Sequence, residues 1–331
     1  MEISGGVEKH RRRCLCDVFR VITLAVGAVV LGTTALAQTA RPGETRRDVA
    51  RELGTPDLPS VNPGQTARET SGSTAAPGTG HEFGEQQIVQ RRAHVEPRTA
   101  TAGMDLSYTN NAGLTHTHKQ GDWYARYGIT TGYTNRITGP FFVDFSLEQY
   151  FFRYAKFDIL DFDLTRFEAT ILANTHVMGD AFCFLRYRLE RLTEPGLGSA
   201  FLTEHTVEAG LQKVWKISRG QQIFGGISAS LPADIDPGAA ARYEYSASVG
   251  YIVRLTERIT TAVSYRGSWY DYEHGGRSDW NHIFAAGITY EIADWLRVGL
   301  NFAYTRNESN ETFADYDSVV PGGSVAVRIA F

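Results

Sequence analysis

Residues 284–305, FAAGITYEIADWLRVGLNFAYT, decide the fold class of this chain. Apolar side chains fill every second position before and after the short break at 293–295. This two-residue period is typical of β-strands whose two faces have different surroundings. The opposite positions, from Ala285 to Thr305, hold Gly, Ala, Thr, Asn and isolated charges. Small and charged residues of this kind suit a confined polar interior, so we expect the apolar face to contact lipid.

The same alternation recurs along residues 101–331. Short turns follow Ile137, Val177, Ile217, Leu255 and Ile292, and longer polar connections lie between them. A sheet that spans lipid must close, because lipid cannot satisfy the polar groups of an open strand edge. The pattern therefore predicts an all-β fold, a transmembrane antiparallel up-and-down β-barrel of about twelve strands. We place the strands at 103–109, 123–136, 141–155, 162–177, 181–190, 201–216, 221–231, 241–255, 259–270, 280–292, 296–305 and 323–331.

The composition argues against several other classes. The chain has 331 residues, a net charge of −4 and 3 Cys. A single long apolar run is too few for a helical membrane protein, mild acidity is atypical of a nucleic-acid binder, and so few Cys cannot build a disulfide framework. Length alone favours two domains, but all 5 Trp and all 16 Tyr follow residue 100. We therefore expect one folded domain, over residues 101–331.

The N-terminus has the features of a secretory signal peptide over residues 1–37. A basic cluster, Arg11 to Arg13, precedes the apolar run 21–37, which ends in small residues. We place cleavage between Ala37 and Gln38, with Ala35 as the second small residue of the site, and expect Sec-type export. The alternative is a permanent membrane anchor, which the glycines and threonines of the run disfavour.

Residues 38–100 have the composition of a disordered, low-complexity periplasmic segment. The stretch 55–80 is rich in Pro, Gly, Ser and Thr, which cannot bury enough apolar area to offset chain entropy. Residues 44–53, ETRRDVAREL, could form a short helix. We favour a flexible tether, and the functional alternative is a partner-binding or pore-plugging segment.

The C-terminal sequence SVAVRIAF resembles the assembly signal of Gram-negative outer-membrane proteins, in which alternating apolar residues close on a terminal Phe. The residues that carry it are Val325, Val327, Ile329 and Phe331. Residues 101–331 as a whole are similar to the broad group of outer-membrane β-barrel porins. The resemblance implies residence in the bacterial outer membrane, with lipid and lipopolysaccharide as neighbours and the barrel-assembly machinery as a partner of the last strand. From the mild acidity of the chain we expect no nucleic-acid partner.

The register of the predicted strands turns charges of both signs toward the lumen, in equal numbers. They could pair with one another and hold the barrel rigid, or they could line a pathway for small solutes. Arg186 and Arg188 could form an anion step, unless they pair with Glu168 or Glu208 on the adjacent strands. The predicted lumen-lining residues are Arg126, Asp144, Glu148, Glu168, Arg186, Arg188, Glu190, Glu208, Glu244, Arg254, Arg266, Glu291, Arg297 and Arg328.

The sequence holds no convincing metal, cofactor or catalytic motif. Asp158, Asp161 and Asp163 could attract a divalent cation, but their spacing favours a solvated loop, and His116 with His118 lacks a completing ligand. No H-x-S pair of the outer-membrane phospholipase type is present. We therefore expect no metal, no cofactor and no enzymatic activity.

The favoured function is a porin-like passive channel for small hydrophilic solutes. The runner-up is a closed structural or adhesin-type barrel that acts through its extracellular loops. A lipid-modifying enzyme is the third alternative.

Overall fold

The computed structural model describes residues 43–50, 98–175 and 181–331. Within these ranges twelve strands form one closed antiparallel barrel, which confirms the predicted fold class and strand number. The strands are β1 (Arg98–Thr109), β2 (Asp122–Thr138), β3 (Phe141–Tyr154), β4 (Phe162–Thr175), β5 (Ala181–Thr193), β6 (Ala200–Ser218), β7 (Gln221–Asp236), β8 (Arg242–Arg254), β9 (Ile259–Tyr272), β10 (Ser278–Ala293), β11 (Leu296–Ser309) and β12 (Tyr316–Ala330). The predicted signal peptide and its cleavage site at Ala35, Ala37 and Gln38 lie outside the described residues.

Each strand pairs with its neighbours in the chain, and β1 pairs with β12 to close the ring. The closing register runs from Thr99 opposite Ala330 to Ser107 opposite Gly322. Phe331 continues this ladder, because its backbone N–H donates to the Arg98 carbonyl and its carbonyl accepts from the Arg98 N–H. The described strands therefore form a ring without an open edge.

Several strands are longer than the sequence analysis predicted. β1 begins at Arg98 rather than 103, β7 extends to Asp236, and β12 begins at Tyr316 rather than 323. The ladder between β11 and β12 continues to Asn307 opposite Tyr316, in a stretch that we expected to be a loop. Polar side chains led to the short estimate, but backbone pairing continues past the apolar band without needing apolar side chains.

The outer surface of the barrel is apolar. Large side chains such as Ile129, Ile227 and Leu300 point away from the lumen and are 54%, 61% and 69% exposed. Aromatic residues lie on the same face near the strand ends, including Trp123 and Trp215. This distribution matches an apolar band between interfacial aromatic girdles.

The two ends of the barrel differ in their connections. At one end, which we name the loop end, the connections are 110–121, 155–161, 194–199, 237–241, 273–277 and 310–315. The opposite, or turn, end has the short connections 139–140, 219–220, 255–258 and 294–295. Both the start of β1 and the end of β12 lie at the turn end.

Residues 43–50, GETRRDVA, form a helix inside the barrel at its loop end. We name this segment the lumen helix. It lies within the stretch for which the sequence analysis favoured a tether and left a pore-plugging segment as the alternative. No helix among the described residues is long and apolar enough to cross a membrane.

The lumen helix packs on a hydrophobic cluster that lines the inside of the barrel. Inward-facing Phe152 and Phe162 stack with ring centroids 4.2 Å apart, and Leu202 is fully buried beside them. Val49 and Ala50 of the lumen helix belong to the same cluster. The interior is therefore apolar on one side of the loop end, whereas the sequence analysis expected a polar interior throughout.

Candidate functional site

The lumen is the candidate functional site, and the strand register determines which side chains enter it. Because Arg186 lies opposite Glu208, and Glu208 opposite Ser230, the inward face can be followed from strand to strand. This register turns every predicted lumen-lining residue toward the interior. It carries Arg126, Asp144, Glu148, Glu168, Arg186, Arg188, Glu190, Glu208, Glu244, Arg254, Arg266, Glu291, Arg297 and Arg328 on the inward face.

One third of the barrel wall, formed by β3 to β6, turns many charged side chains into the lumen, and we name it the charged wall. Arg166 lies at its centre and bridges two carboxylates on neighbouring strands. Its Nη1 is 3.0 Å from Glu148 Oε2, and its Nη2 is 2.9 Å from Glu190 Oε2. Because three strands contribute to this group, it ties their inward faces together.

The two arginines considered as an anion step also belong to the charged wall. Arg188 Nε donates to Glu168 Oε1 at 2.6 Å, and Arg186 Nη1 donates to Glu208 Oε2 at 3.3 Å. Two longer contacts connect these pairs: Arg186 Nε lies 3.8 Å from Glu168 Oε2, and Arg188 Nη2 lies 3.6 Å from Glu208 Oε2. The charges of Arg186 and Arg188 are therefore compensated locally by Glu168 and Glu208.

The next part of the lumen wall, formed by β7 to β9, is rich in inward serines, and we name it the hydroxyl wall. It also carries the charged residues Glu244 and Arg266. A cavity of about 160 Å³ lies between the two walls, large enough for about ten water molecules. Ala50 of the lumen helix lines its loop-end side. The serines that line the cavity are Ser228, Ser230, Ser246, Ser248 and Ser264.

Inward aromatic rings lie flat against the wall over glycines of the next strand. Phe184 lies directly opposite Gly210, and Phe224 directly opposite Gly250. A Cβ on Gly210 would come within 2.5 Å of the Phe184 ring, and one on Gly250 would overlap the Phe224 ring. The missing side chains of these glycines therefore keep both rings out of the bore.

Ion pairs hold the lumen helix at the loop end. Its first acidic residue, Glu44, accepts a 2.7 Å hydrogen bond from Arg277 Nη1. Arg277 also contacts Asp279, at 2.9 Å through Nε. Burial alone would lower the pKa of the Arg277 guanidinium, but Tyr272, Asp279 and Glu44 raise it above its ordinary value. The helix start is thus fixed to the connection before β10.

The second turn of the lumen helix is fixed to two further strands. Arg47, fully buried, donates from Nη1 to Glu204 Oε2 on β6 at 3.0 Å. Asp48 accepts from Arg242 Nη2 on β8 and from the Tyr316 hydroxyl on β12, both at 3.4 Å. The helix therefore spans the lumen between separate parts of the wall.

Further contacts establish the direction of the lumen helix. The Arg46 guanidinium lies 4.5 Å from the Phe201 ring centroid, and it donates to the backbone carbonyls of Ile159 and Leu160. Those two residues belong to a 3-10 turn at the loop end. Because Ala50 lines the central cavity, the helix runs inward from the loop end toward the middle of the barrel.

The sequence analysis missed three inward charges that prove central. Arg166 lies two residues before Glu168, and Arg242 lies two residues before Glu244, so strand periodicity alone could have found them. Glu204 lies four residues before Glu208 in the same predicted strand, so the alternation finds its inward position too, but its partner, Arg47, is 157 residues away in the chain. No local signal indicates such a contact.

The three aspartates considered as a cation site and the C-terminal assembly residues lie at opposite ends of the barrel. Asp161 accepts from the Tyr154 backbone N–H at 2.7 Å, and Asp163 pairs with Arg153 at 2.6 Å, so both serve the connection at the loop end. Asp158 lies in the 3-10 turn of that connection. The C-terminal residues Val325, Val327, Ile329 and Phe331 lie on the outward, lipid-type face at the seam between β12 and β1.

Comparisons with known proteins concern the barrel architecture. No family model and no curated protein sequence matches the chain. An outer membrane channel from Pseudomonas putida F1 is similar with a TM-score of 0.47 and 9% identity, over 74% of this chain and 100% of that chain. The outer membrane channel DcaP of Acinetobacter baumannii gives 0.41 and 9%, over 70% and 96%. The NanC porin gives 0.41 and 10%, over 69% and 100%.

Proposed function

We propose that the protein is an outer-membrane channel for the passive diffusion of small hydrophilic solutes. The observation that carries this proposal is a cavity of about 160 Å³, lined by charged and hydroxyl side chains, inside a closed barrel with an apolar outer surface. An apolar surface without strand edges suits lipid, and a polar lumen suits solutes that lipid excludes. The proposal involves no catalytic step.

The proposed orientation places the loop end at the cell exterior and the turn end in the periplasm, which is the usual arrangement of long loops and short turns in such barrels. Export by the N-terminal signal peptide and insertion through the C-terminal strand belong to the same proposal. Lipid and lipopolysaccharide would then surround the apolar face.

The solute path would run between the charged wall and the hydroxyl wall. Arginines and carboxylates of the charged wall neutralise one another, so they supply a transverse field with little net charge. The serines of the hydroxyl wall supply hydroxyl groups that can donate and accept hydrogen bonds. Such a path suits small polar solutes of either charge sign better than it suits one class of ion.

The lumen helix would close this path at the loop end. It fills the space between Glu204, Arg242 and Arg277, and its apolar residues seal against the hydrophobic cluster. Conduction would therefore require the helix to move, and a change that expels it should increase the open probability.

Ion conductance in planar lipid bilayers tests the proposal. R47E would place a buried negative charge against Glu204, which is strongly unfavourable, so we expect larger and longer current steps than for the wild type. R254E is the matched control, because it makes the same charge change on exposed lumen residue Arg254, near the turn end. If wild type and R47E are both electrically silent although folded, the channel proposal is wrong.

The second candidate is a closed barrel that acts through its loops. The packed hydrophobic cluster and the buried lumen helix at the loop end favour it. Silence of both proteins in the bilayer experiment, together with unchanged surface display of the loops, would support this candidate instead.

A further inference from the structure

Arg242 is a buried arginine whose hydrogen-bonding capacity is only partly used. Its side chain is 2% exposed. The edge formed by Nε and Nη2 can bind both oxygens of one carboxylate. In this structure Nη2 meets Asp48 Oδ1 at 3.4 Å, and Nε has no acceptor within the described part of the chain. Charge-assisted bonds of this type usually measure about 2.7–2.9 Å, so Asp48 is a loose ligand.

The Arg242 guanidinium is held in place independently of Asp48. It lies 3.6 Å from the centroid of the Tyr270 ring, and its Nη1 donates to the Tyr272 hydroxyl at 2.9 Å. Both contacts come from β9, the strand next to β8. The Nε–Nη2 edge is therefore presented to the lumen in a fixed orientation, which lowers the entropic cost of binding a carboxylate.

Arg277 provides an internal comparison. The same edge of Arg277 is filled by Asp279 on its own strand end, with Nε to Oδ1 at 2.9 Å. Glu44 of the lumen helix takes the remaining Nη1 at 2.7 Å. Arg277 thus keeps a carboxylate partner when the lumen helix leaves, whereas the carboxylate that meets Arg242 belongs to the helix itself.

Tyr316 completes the arrangement around Asp48. Its hydroxyl donates to Asp48 Oδ2 at 3.4 Å, so one carboxylate bridges a tyrosine on β12 and an arginine on β8. We propose that Arg242 and Tyr316 form a binding site for the carboxylate of small organic acids, and that Asp48 is its internal occupant. The inference rests on the proposed channel function, because the solute must reach the loop end of the lumen.

The exchange of occupants has a physical basis. A buried arginine left without an anion is costly, so simple departure of Asp48 is unfavourable. A solute carboxylate that binds Nε and Nη2 together preserves the charge balance and improves the geometry. Because it binds the state from which the helix has moved, it shifts that equilibrium by mass action. An organic acid would thus loosen the helix that closes its own path.

Hydrogen exchange of the backbone amides of the lumen helix, followed by mass spectrometry, tests the site. The folded barrel in lipid vesicles is compared in potassium acetate and potassium chloride at equal ionic strength, with acetate as the probe. At an acetate concentration of twice the Kd, exchange of residues 43–50 should be about threefold faster than in chloride. Equal exchange in the two salts would mean ionic screening alone and would overturn the proposal.

Three variants assign the effect to the site. R242Q should exchange at a rate that does not depend on the anion, and Y316F should need more acetate for the same effect. R254Q, on the inward face of the same strand, should respond to acetate like the wild type. A full acetate response in R242Q would refute the inference. Because exchange is measured without any current, a barrel that never conducts can still pass or fail this test.

Discussion

At the scale of single residues, the interior depends on charges that are buried in compensated groups. Arg166 pairs with both Glu148 and Glu190, and the Glu190 side chain is only 4% exposed. Removing a partner from such a group leaves a charge that neither water nor protein can stabilise. Pairs near the turn end of the lumen are more exposed, so they are worth much less.

This difference leads to a stability prediction. R166Q should destabilise the barrel by about 3 kcal/mol or more, because it leaves Glu190 buried without its arginine. R297Q is the matched control, since the Arg297 and Glu291 side chains are 37% and 43% exposed. We expect about 1 kcal/mol or less there. Urea unfolding in lipid vesicles measures both, and equal midpoints would contradict the prediction.

The glycines beneath the inward rings lead to a second prediction. G250A should cost about 1–3 kcal/mol, because the new methyl group overlaps the Phe224 ring and forces it toward the bore. G287A serves as the control, since a Cβ there would meet the Leu300 carbonyl at 3.5 Å, an ordinary contact. The double variant G250A/F224L should recover part of the loss. No difference between the two alanine variants in unfolding midpoint would refute this reading.

The alternation of the sequence predicts which strand residues face the lumen, but it does not predict the contacts of the lumen helix. Alternation assigns Glu148 and Arg186 to the inward face because strand neighbours two residues apart share a face. It cannot pair Asp48 with Arg242, which are 194 residues apart and lie on different kinds of element. Such contacts depend on where a helix docks, and nothing in the local pattern specifies that.

At the scale of elements, the two-residue period predicted the strands but not their full length. Apolar alternation marks only the part of a strand that faces lipid, whereas the backbone ladder continues into water at the loop end. β12 shows this best, because its first residues from Tyr316 are already paired with β11. The predicted positions of the turns at the turn end agree with the structure better than the predicted strand lengths do, because those turns are short.

The terminal strand carries a prediction about assembly. F331A should lower the amount of folded barrel in the outer membrane several-fold, because we propose that the terminal Phe is recognised during insertion. The Phe331 side chain is 62% exposed, so refolding of the purified chain in detergent should be unaffected. L300A, which truncates another outward side chain, is the control. Equal membrane levels of F331A and wild type would argue against the signal.

At the scale of the whole molecule, the direction of the lumen helix is the least expected feature. Glu44, near its start, meets the connection before β10, and Ala50, its last described residue, lines the central cavity. Composition favoured a tether for residues 38–100, although the sequence 44–53 indicated a short helix, and residues 43–50 are helical in the structure. The closed barrel could be derived from the chain, whereas a pore-plugging segment was only an alternative, and its docking position could not be derived.

This direction can be measured by cysteine labelling on intact cells. In a C183S background, T45C should react with a membrane-impermeant maleimide much faster than A50C, since Ala50 lies deeper in the lumen. Adding R47E should raise the reactivity of A50C toward that of T45C. Faster labelling of A50C than of T45C, without R47E, would mean that the helix runs the other way.

The lumen helix also bears on the mechanics of the barrel. Its side chains reach β6 at Glu204, β8 at Arg242 and the connection before β10 at Arg277, so it acts as a strut between parts of the wall. A closed sheet of twelve strands can flatten toward an oval without breaking its ladders, whereas a strut anchored at three points resists that deformation. Departure of the helix would soften the cross-section while it clears the bore, so stiffness and permeability would change together.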